Sequence, residues 1–239
     1  MNNALANLSL REQLHVDRRL LRLLWLFVGL TGFGVGMGMI IRAGLGAAPW
    51  DVFAVAVADR TSLSFGAVTI LTSFMVLLAW IPLRQQPEIG TLANALWVGI
   101  AADATLHVIP SADALGAAIG LLIGGVAVNA VADAVYIGAQ LGPGPRDGLM
   151  TGMHHRFRFP VGPVRFVVEA VVLLVGWMLG GPVGAGTLLY AVAIGPIVHT
   201  VLPRVTLRVR NPDPERSHRP GAAPDGKPTS ETTDHVCPS

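Results

Sequence analysis

The sequence predicts an all-α polytopic membrane protein, six transmembrane helices in a 3+3 inverted-topology repeat with two short half-helices. Three observations carry that expectation. The 239 residues are 52% hydrophobic and only 13% charged, with mean hydropathy +0.56, whereas soluble domains carry roughly a quarter charged residues. Six apolar runs reach the roughly 17–25 residues that a helix needs to cross a bilayer. The chain also repeats itself. Displaced by 96 residues, Leu26–Leu106 meets Leu122–Leu202 with 22 identities in 81 pairs, against roughly 7 expected from composition. The matches include Gly46/Gly142, Pro49/Pro145, Asp51/Asp147, Gly66/Gly162, Gly90-Thr91-Leu92/Gly186-Thr187-Leu188 and Gly99/Gly195. Apolar bias alone would not align such residues.

The elements follow in order. Residues 1–19 form a polar cytoplasmic lead-in. The first repeat, residues 20–110, holds spans near Leu23–Ile41, Phe65–Leu83 and Thr91–Ile109. The second, residues 111–203, holds spans near Leu115–Ile137, Val161–Leu179 and Gly184–Leu202. Residues 204–239, rich in Pro, Asp, Arg, Ser and Thr, are expected to be a disordered cytoplasmic tail. The first apolar run is too long for a signal-peptide core and has no small-residue cleavage site behind it, so it is expected to stay as an anchor. Three spans per repeat is an odd number, so the second copy enters the bilayer from the opposite face.

Charge placement fixes the orientation. With the N-terminus cytoplasmic, Arg11, Arg18, Arg19, Arg22, Arg84, the Arg146–Arg158 loop, Arg204, Arg208 and Arg210 all fall inside, and only Arg42 and Arg60 outside. That is a positive-inside pattern and places both termini on the cytoplasmic side. It also excludes eight crossings, since Ala48–Ala58 is too short to span.

Between the first two spans of each repeat lies a breaker motif, Gly44-Leu45-Gly46-Ala47-Ala48-Pro49-Trp50-Asp51 and Leu141-Gly142-Pro143-Gly144-Pro145-Arg146-Asp147. Gly46, Gly142 and Gly144 stop the preceding helix. Pro49 and Pro145 suit the first turn of a new one, where Asp51 and Asp147 complement the helix dipole. Each repeat is therefore expected to contain a half-helix, re-entrant or interfacial. Broken helices in matching positions of two inverted halves point to a transporter site, although the same residues also serve as plain breaks and caps.

Polar residues inside spans are the second signal, because a charge there costs about 2.5–3.5 kcal/mol on insertion scales. Asp103, Asp133 and Glu169, with Asp51, Asp147 and Arg146, make up the candidate substrate or ion pathway. Asn94 and Asn129 read as interhelical hydrogen-bonding groups. Arg165 reads first as snorkelling to the headgroups, with an ion pair to Glu169 as the alternative. Gly32/Gly36 and Gly34/Gly38 in the first span, with Gly120 and Gly124 in the fourth, are close-packing surfaces between halves or between subunits, which leaves a homodimer open. Thr91 and Thr187 satisfy backbone groups at helix starts.

Enzyme motifs are absent, with no Walker A, H-E-x-x-H or G-x-S-x-G. The lone Cys237 permits neither an intrachain disulfide nor a thiolate metal site, and no metal or cofactor is expected. His154-His155 with Arg156 and Arg158 reads as a basic membrane-surface loop rather than a metal site. The net charge of +2 and pI near 9.2 are accounted for by topology and call for no nucleic-acid partner.

The two breaker motifs and the Gly90-Thr91-Leu92-Ala93-Asn94 start, with Gly99 and Asp103 behind it, resemble the YczE/YyaS/YitT-like family of bacterial integral membrane proteins. The resemblance spans about Leu20 to Leu202. It implies a small multi-pass inner-membrane protein, with members linked to secondary-metabolite production or suggested as small-molecule exporters. Because Tyr190 and His199 replace Asn94 and Asp103 in the second copy, any role of that polar pair is expected in the first. The functional expectation is a secondary transporter or exporter of a small organic solute, coupled to an ion gradient. A non-transporting scaffold or regulator of another machine is the alternative, and a passive channel the third.

Overall fold

The computed structural model describes residues 19–207, all helix and connections, with no strand among them. Eight helices follow one another: α1 Arg19–Ala43, α2 Pro49–Ala58, α3 Phe65–Leu83, α4 Ile89–Val108, α5 Leu115–Gly138, α6 Pro145–Phe157, α7 Val161–Met178 and α8 Ala185–Val205. Six of them, all but α2 and α6, are long and apolar enough to cross a membrane. Their bounds lie within four residues of those expected from hydropathy. The lead-in and tail lie outside the described residues, apart from the few that flank the first and last helices.

The half-helices start where the breaker motifs end. Pro49 and Pro145 each occupy the first turn, and Asp51 and Asp147 follow in it. Gly46 and Gly142 take φ values of +107° and +117°, a region where glycine is the unstrained residue. Ten residues make α2 roughly 15 Å long, half of what a bilayer requires.

At the centre α1 packs along α5 and α4, and α5 along α1 and α8. The half-helices cross between copies: α2 lies on α7 and α3, α6 on α3 and α7. The glycines of α1 make the central approach. A Cβ on Gly36 would fall 2.7 Å from Asn129 N, and one on Gly29 would fall 2.5 Å from Tyr136 N, both on α5. On the adjoining face, a Cβ on Gly34 would fall 2.6 Å from Ala101 Cβ on α4, and one on Gly38 as close to Thr105. The two G-x-x-x-G pairs thus serve two partners, Gly32 and Gly36 facing α5, Gly34 and Gly38 facing α4.

Gly120, like Gly116, has nothing within 4 Å of where a side chain would begin, whereas Gly124 meets the tip of Met39 on α1 at 3.2 Å. The close approach between the halves is made by Gly125 and Asn129 of α5, so Gly120 is left to the alternative of a contact between subunits.

The 96-residue offset reappears in the contacts. Gly90 N donates to Leu141 O at 2.8 Å, and Gly186 N to Leu45 O at 2.8 Å. Thr91 Oγ1 accepts from Glu88 N at 3.3 Å, and Thr187 Oγ1 from Gly184 N at 3.3 Å. The start of the last span in each copy therefore pins the breaker loop of the other, and so aims its half-helix.

Overpacking a close helix contact costs about 1–3 kcal/mol. We expect Gly36→Val to lower the thermal midpoint of the detergent-solubilised protein. Gly120→Val, with open space around it, should melt like the parent; equal melting of both variants would refute the α1–α5 packing.

Candidate functional site

The N-termini of α2 and α6 meet inside the bundle. Neither has a side-chain cap, since Ala48 and Gly144 precede the prolines. Four N–H groups at each helix start have no intrahelical partner, and the aligned peptide dipoles leave a partial positive charge there. The neighbouring side chains answer that charge. Asp51 is 2% exposed, and its Oδ1 lies 3.7 Å from Arg146 Nη1 across the junction. The Arg146 guanidinium also lies 5.0 Å from the centroid of the Trp50 ring, a cation–π geometry. Asp147 Oδ2 accepts from the Tyr136 hydroxyl at 3.0 Å. Trp80 Nε1 donates to Pro145 O at 3.1 Å and fixes where α6 begins.

Beside this junction is a cavity of about 380 Å³, walled by residues of all eight helices except α2's far end and α6's basic end. Its ionisable groups other than tyrosine are Asp133, Arg146, Asp147, Arg165, Glu169 and His199, every one from the second copy. At the offset positions the first copy has Met37, Trp50, Asp51, Thr69, Ser73 and Asp103, of which Trp50, Thr69 and Ser73 line the same cavity. The polarity is therefore one-sided on a duplicated frame. Arg165 Nε donates to Glu169 Oε1 at 2.9 Å, so the ion pair, not snorkelling alone, describes Arg165. Asn129 braces two of the lining residues: its Nδ2 donates to Phe33 O at 2.9 Å, and its Oδ1 accepts from the Tyr190 hydroxyl at 3.1 Å.

Asp103 stands apart. It accepts from Gly66 N at 2.7 Å and from the Ser64 hydroxyl at 2.5 Å, capping α3 and joining it to α4. Gly66 and Gly99 allow that approach, a Cβ on Gly99 falling 2.6 Å from Gly66 O. The second copy has the same glycines and a different outcome. Gly162 and Gly195 each have nothing within 4 Å, and His199, at the place of Asp103, faces the cavity. The seam that is zipped between α3 and α4 is open between α7 and α8, and α7 buries only Gly176, against α2.

Of the six pathway candidates, Asp133, Arg146, Asp147 and Glu169 line the cavity, and Asp51 backs it through Arg146. Asp103 is corrected to a helix cap because its equivalence to His199 in sequence is not an equivalence in packing. The polar pair expected to matter in the first copy divides: Asn94 lines the cavity, as do Tyr190 and His199, and Asp103 does not. Sequence reasoning passed over Tyr136, one helical turn beyond Asp133 on the same face, and Trp50, whose aromatic ring at the junction follows from its place between Pro49 and Asp51. Among the described residues no group of three or more His, Cys, Asp or Glu is arranged to hold a metal.

Six spanning helices, two half-helices and a charged internal cavity define a multi-pass α-helical membrane protein. The chain belongs to a family of unknown function, DUF6198, which matches residues 20–203. It is 36% identical over 177 residues to an uncharacterized protein of Haemophilus influenzae, covering 74% of this chain and 81% of the relative. With the uncharacterized membrane protein YczE of Bacillus subtilis it shares 31% identity over 186 residues (77% and 86% of the two chains), and with the uncharacterized YyaS of the same organism 26% over 182 residues (74% and 90%). No solved structure matches.

Removing one partner of a buried ion pair costs about 3–5 kcal/mol, because the other charge is left uncompensated. Arg146→Gln is expected to destabilise the protein by that order in a thermal or denaturant melt. Adding Asp51→Asn should restore most of the loss; a double variant as unstable as the single would show that the pair does not hold the junction.

Proposed function

We propose that the protein is a secondary transporter, an exporter of a small organic solute driven by an ion gradient, in the bacterial inner membrane with both termini cytoplasmic. One observation bears most of the weight: a charged cavity at the meeting point of two half-helix N-termini, enclosed by spans of both copies. Sites of this construction suit alternating access, in which two inverted repeats rock around a fixed midplane site. The orientation is supported by the excess of arginine on one side, Arg42 and Arg60 alone lying on the other. No covalent step is assigned to any residue.

The coupling ion in this reading is the proton. A phenol has one hydrogen, and Tyr136 gives it to Asp147. Asp133 borders the same Tyr136 from the preceding helical turn. Asp133 and Asp147 thus flank one hydroxyl, a two-carboxylate arrangement that can take up and release a proton.

The open α7–α8 seam supplies the moving part. Closing Gly162 against Gly195, as Gly66 closes against Gly99, would seal one side of the cavity while the α3–α4 seam loosens on the other.

Two experiments test the reading. Reconstituted protein should move solute across liposomes faster with a pH gradient than without, and Asp133→Asn and Asp147→Asn should each remove the dependence on the gradient; wild type without flux for a broad amine, acid and sugar panel counts against transport. In a Cys237→Ser background, Gly162→Cys with Gly195→Cys should crosslink in membranes and stop flux until reduced. Absence of crosslinking under conditions that permit flux would remove the proposed closure.

A further inference from the structure

We propose that the solute is a small organic cation, an ammonium on an apolar body, held at Asp133 and Asp147. The proposal rests on the transporter reading for its purpose, and on the cavity's own charges for its chemistry. The wall and its immediate backing contain two guanidiniums and four carboxylates. Arg146 is engaged by Asp51 at 3.7 Å and by the Trp50 ring, and Arg165 by Glu169 at 2.9 Å. Asp133 and Asp147 are in no ion pair within 4.0 Å among the described residues, Arg165 acting on them only at longer range, and their common neighbour is the neutral hydroxyl of Tyr136. Four carboxylates against two guanidiniums leave the excess charge negative. An anionic ligand would find both arginines occupied. It would also find both helix N-termini answered by Asp51 and Asp147, the carboxylates that elsewhere are replaced by the bound anion.

The remainder of the wall suits the body of such a cation. Phe33, Trp50, Met150, Tyr190 and Ile194 present apolar and aromatic surface, which favours organic cations over bare metal ions. Thr69, buried in this wall, leaves Oγ1 without a hydrogen-bond partner among the described residues, and a hydroxyl oxygen can accept from an ammonium N–H. The volume of about 380 Å³ lies at the small end of ligand sites, roughly 300–1,000 Å³.

Three probes with one body and different charge decide the matter: 2-phenylethylammonium, 2-phenylethanol and 3-phenylpropanoate. Each is titrated calorimetrically into the full-length protein in detergent. We expect the ammonium to bind at least tenfold more tightly than the other two. Asp133→Asn and Asp147→Asn should each weaken it at least tenfold, and Asp113→Asn in the exposed α4–α5 loop should leave it unchanged. If an Asn variant fails to fold, Asp133→Glu, which keeps the charge, should retain the preference for the ammonium. Tighter binding of the propanoate, equal binding of all three, or no binding by protein that melts cooperatively would overturn the proposal. Ammonium binding without flux in liposomes keeps the cation site and removes the transporter. Solute flux without ammonium binding does the reverse.

Discussion

The structure depends on bringing the first turns of two half-helices to one junction inside the bundle. Each end concentrates roughly half a positive charge, and in a low-dielectric interior like charges repel strongly. Asp51 and Asp147, each in the first turn of its half-helix, make the meeting tolerable, and such placement contributes up to about 2 kcal/mol each in partly buried geometry. Everything else in the site follows from that junction. The breaker glycines bring the chain to it, and the starts of α4 and α8 pin the loops from the opposite copy. Trp80 then locks α6 in place.

Duplication sets the frame, and divergence at a few positions sets what the frame does. The α3–α4 seam is closed by two glycines and a carboxylate that accepts from a backbone N–H and a serine hydroxyl. In the second copy the glycines persist, Pro160 stands where Ser64 does and His199 where Asp103 does. A histidine cannot accept two hydrogen bonds as a carboxylate does, and proline has no hydroxyl to offer. The seam therefore loses its polar latch while keeping its smooth contact surface. Gly162 and Gly195 accordingly stand clear of each other, and Arg165, Glu169 and His199 of the cavity wall lie on the two helices that flank this gap.

The spans were legible because hydropathy and length act along one helix at a time. The half-helices were legible because Gly, Pro and Asp have strong local preferences. Asp133 and Glu169 stood out because charge in an apolar span is costly wherever it points, and Arg146 and Asp147 because they sit in the breaker motif. Partnership was harder to see, since it depends on helix rotation. Nothing local says that Gly120 faces outward while Gly125 faces α1, or that Arg165 reaches back one turn to Glu169 rather than out to the headgroups. Asp103 shows the limit of symmetry as a guide: the repeat predicts where its backbone lies, and the identity of its neighbours decides what it does.

The divergence has a physical logic where the copies touch each other at matching positions. Trp50 and Arg146 are 96 residues apart and in contact, as are Phe33 and Asn129. Residues so placed would meet their own kind in an undiverged duplicate. Two arginines there would add their repulsion to that of two positive helix ends, and two tryptophans would leave Asp51 buried without a cation. One of each solves both problems, since a planar guanidinium can lie over the indole and still present N–H groups to a carboxylate. At the other matched pair one asparagine reaches both the backbone of Phe33 and the Tyr190 hydroxyl, while the Phe33 ring lies edge-on to that of Tyr136. The asymmetry of the cavity thus begins at the contacts where identical residues were least tolerable, and the one-sided charge of its wall extends it.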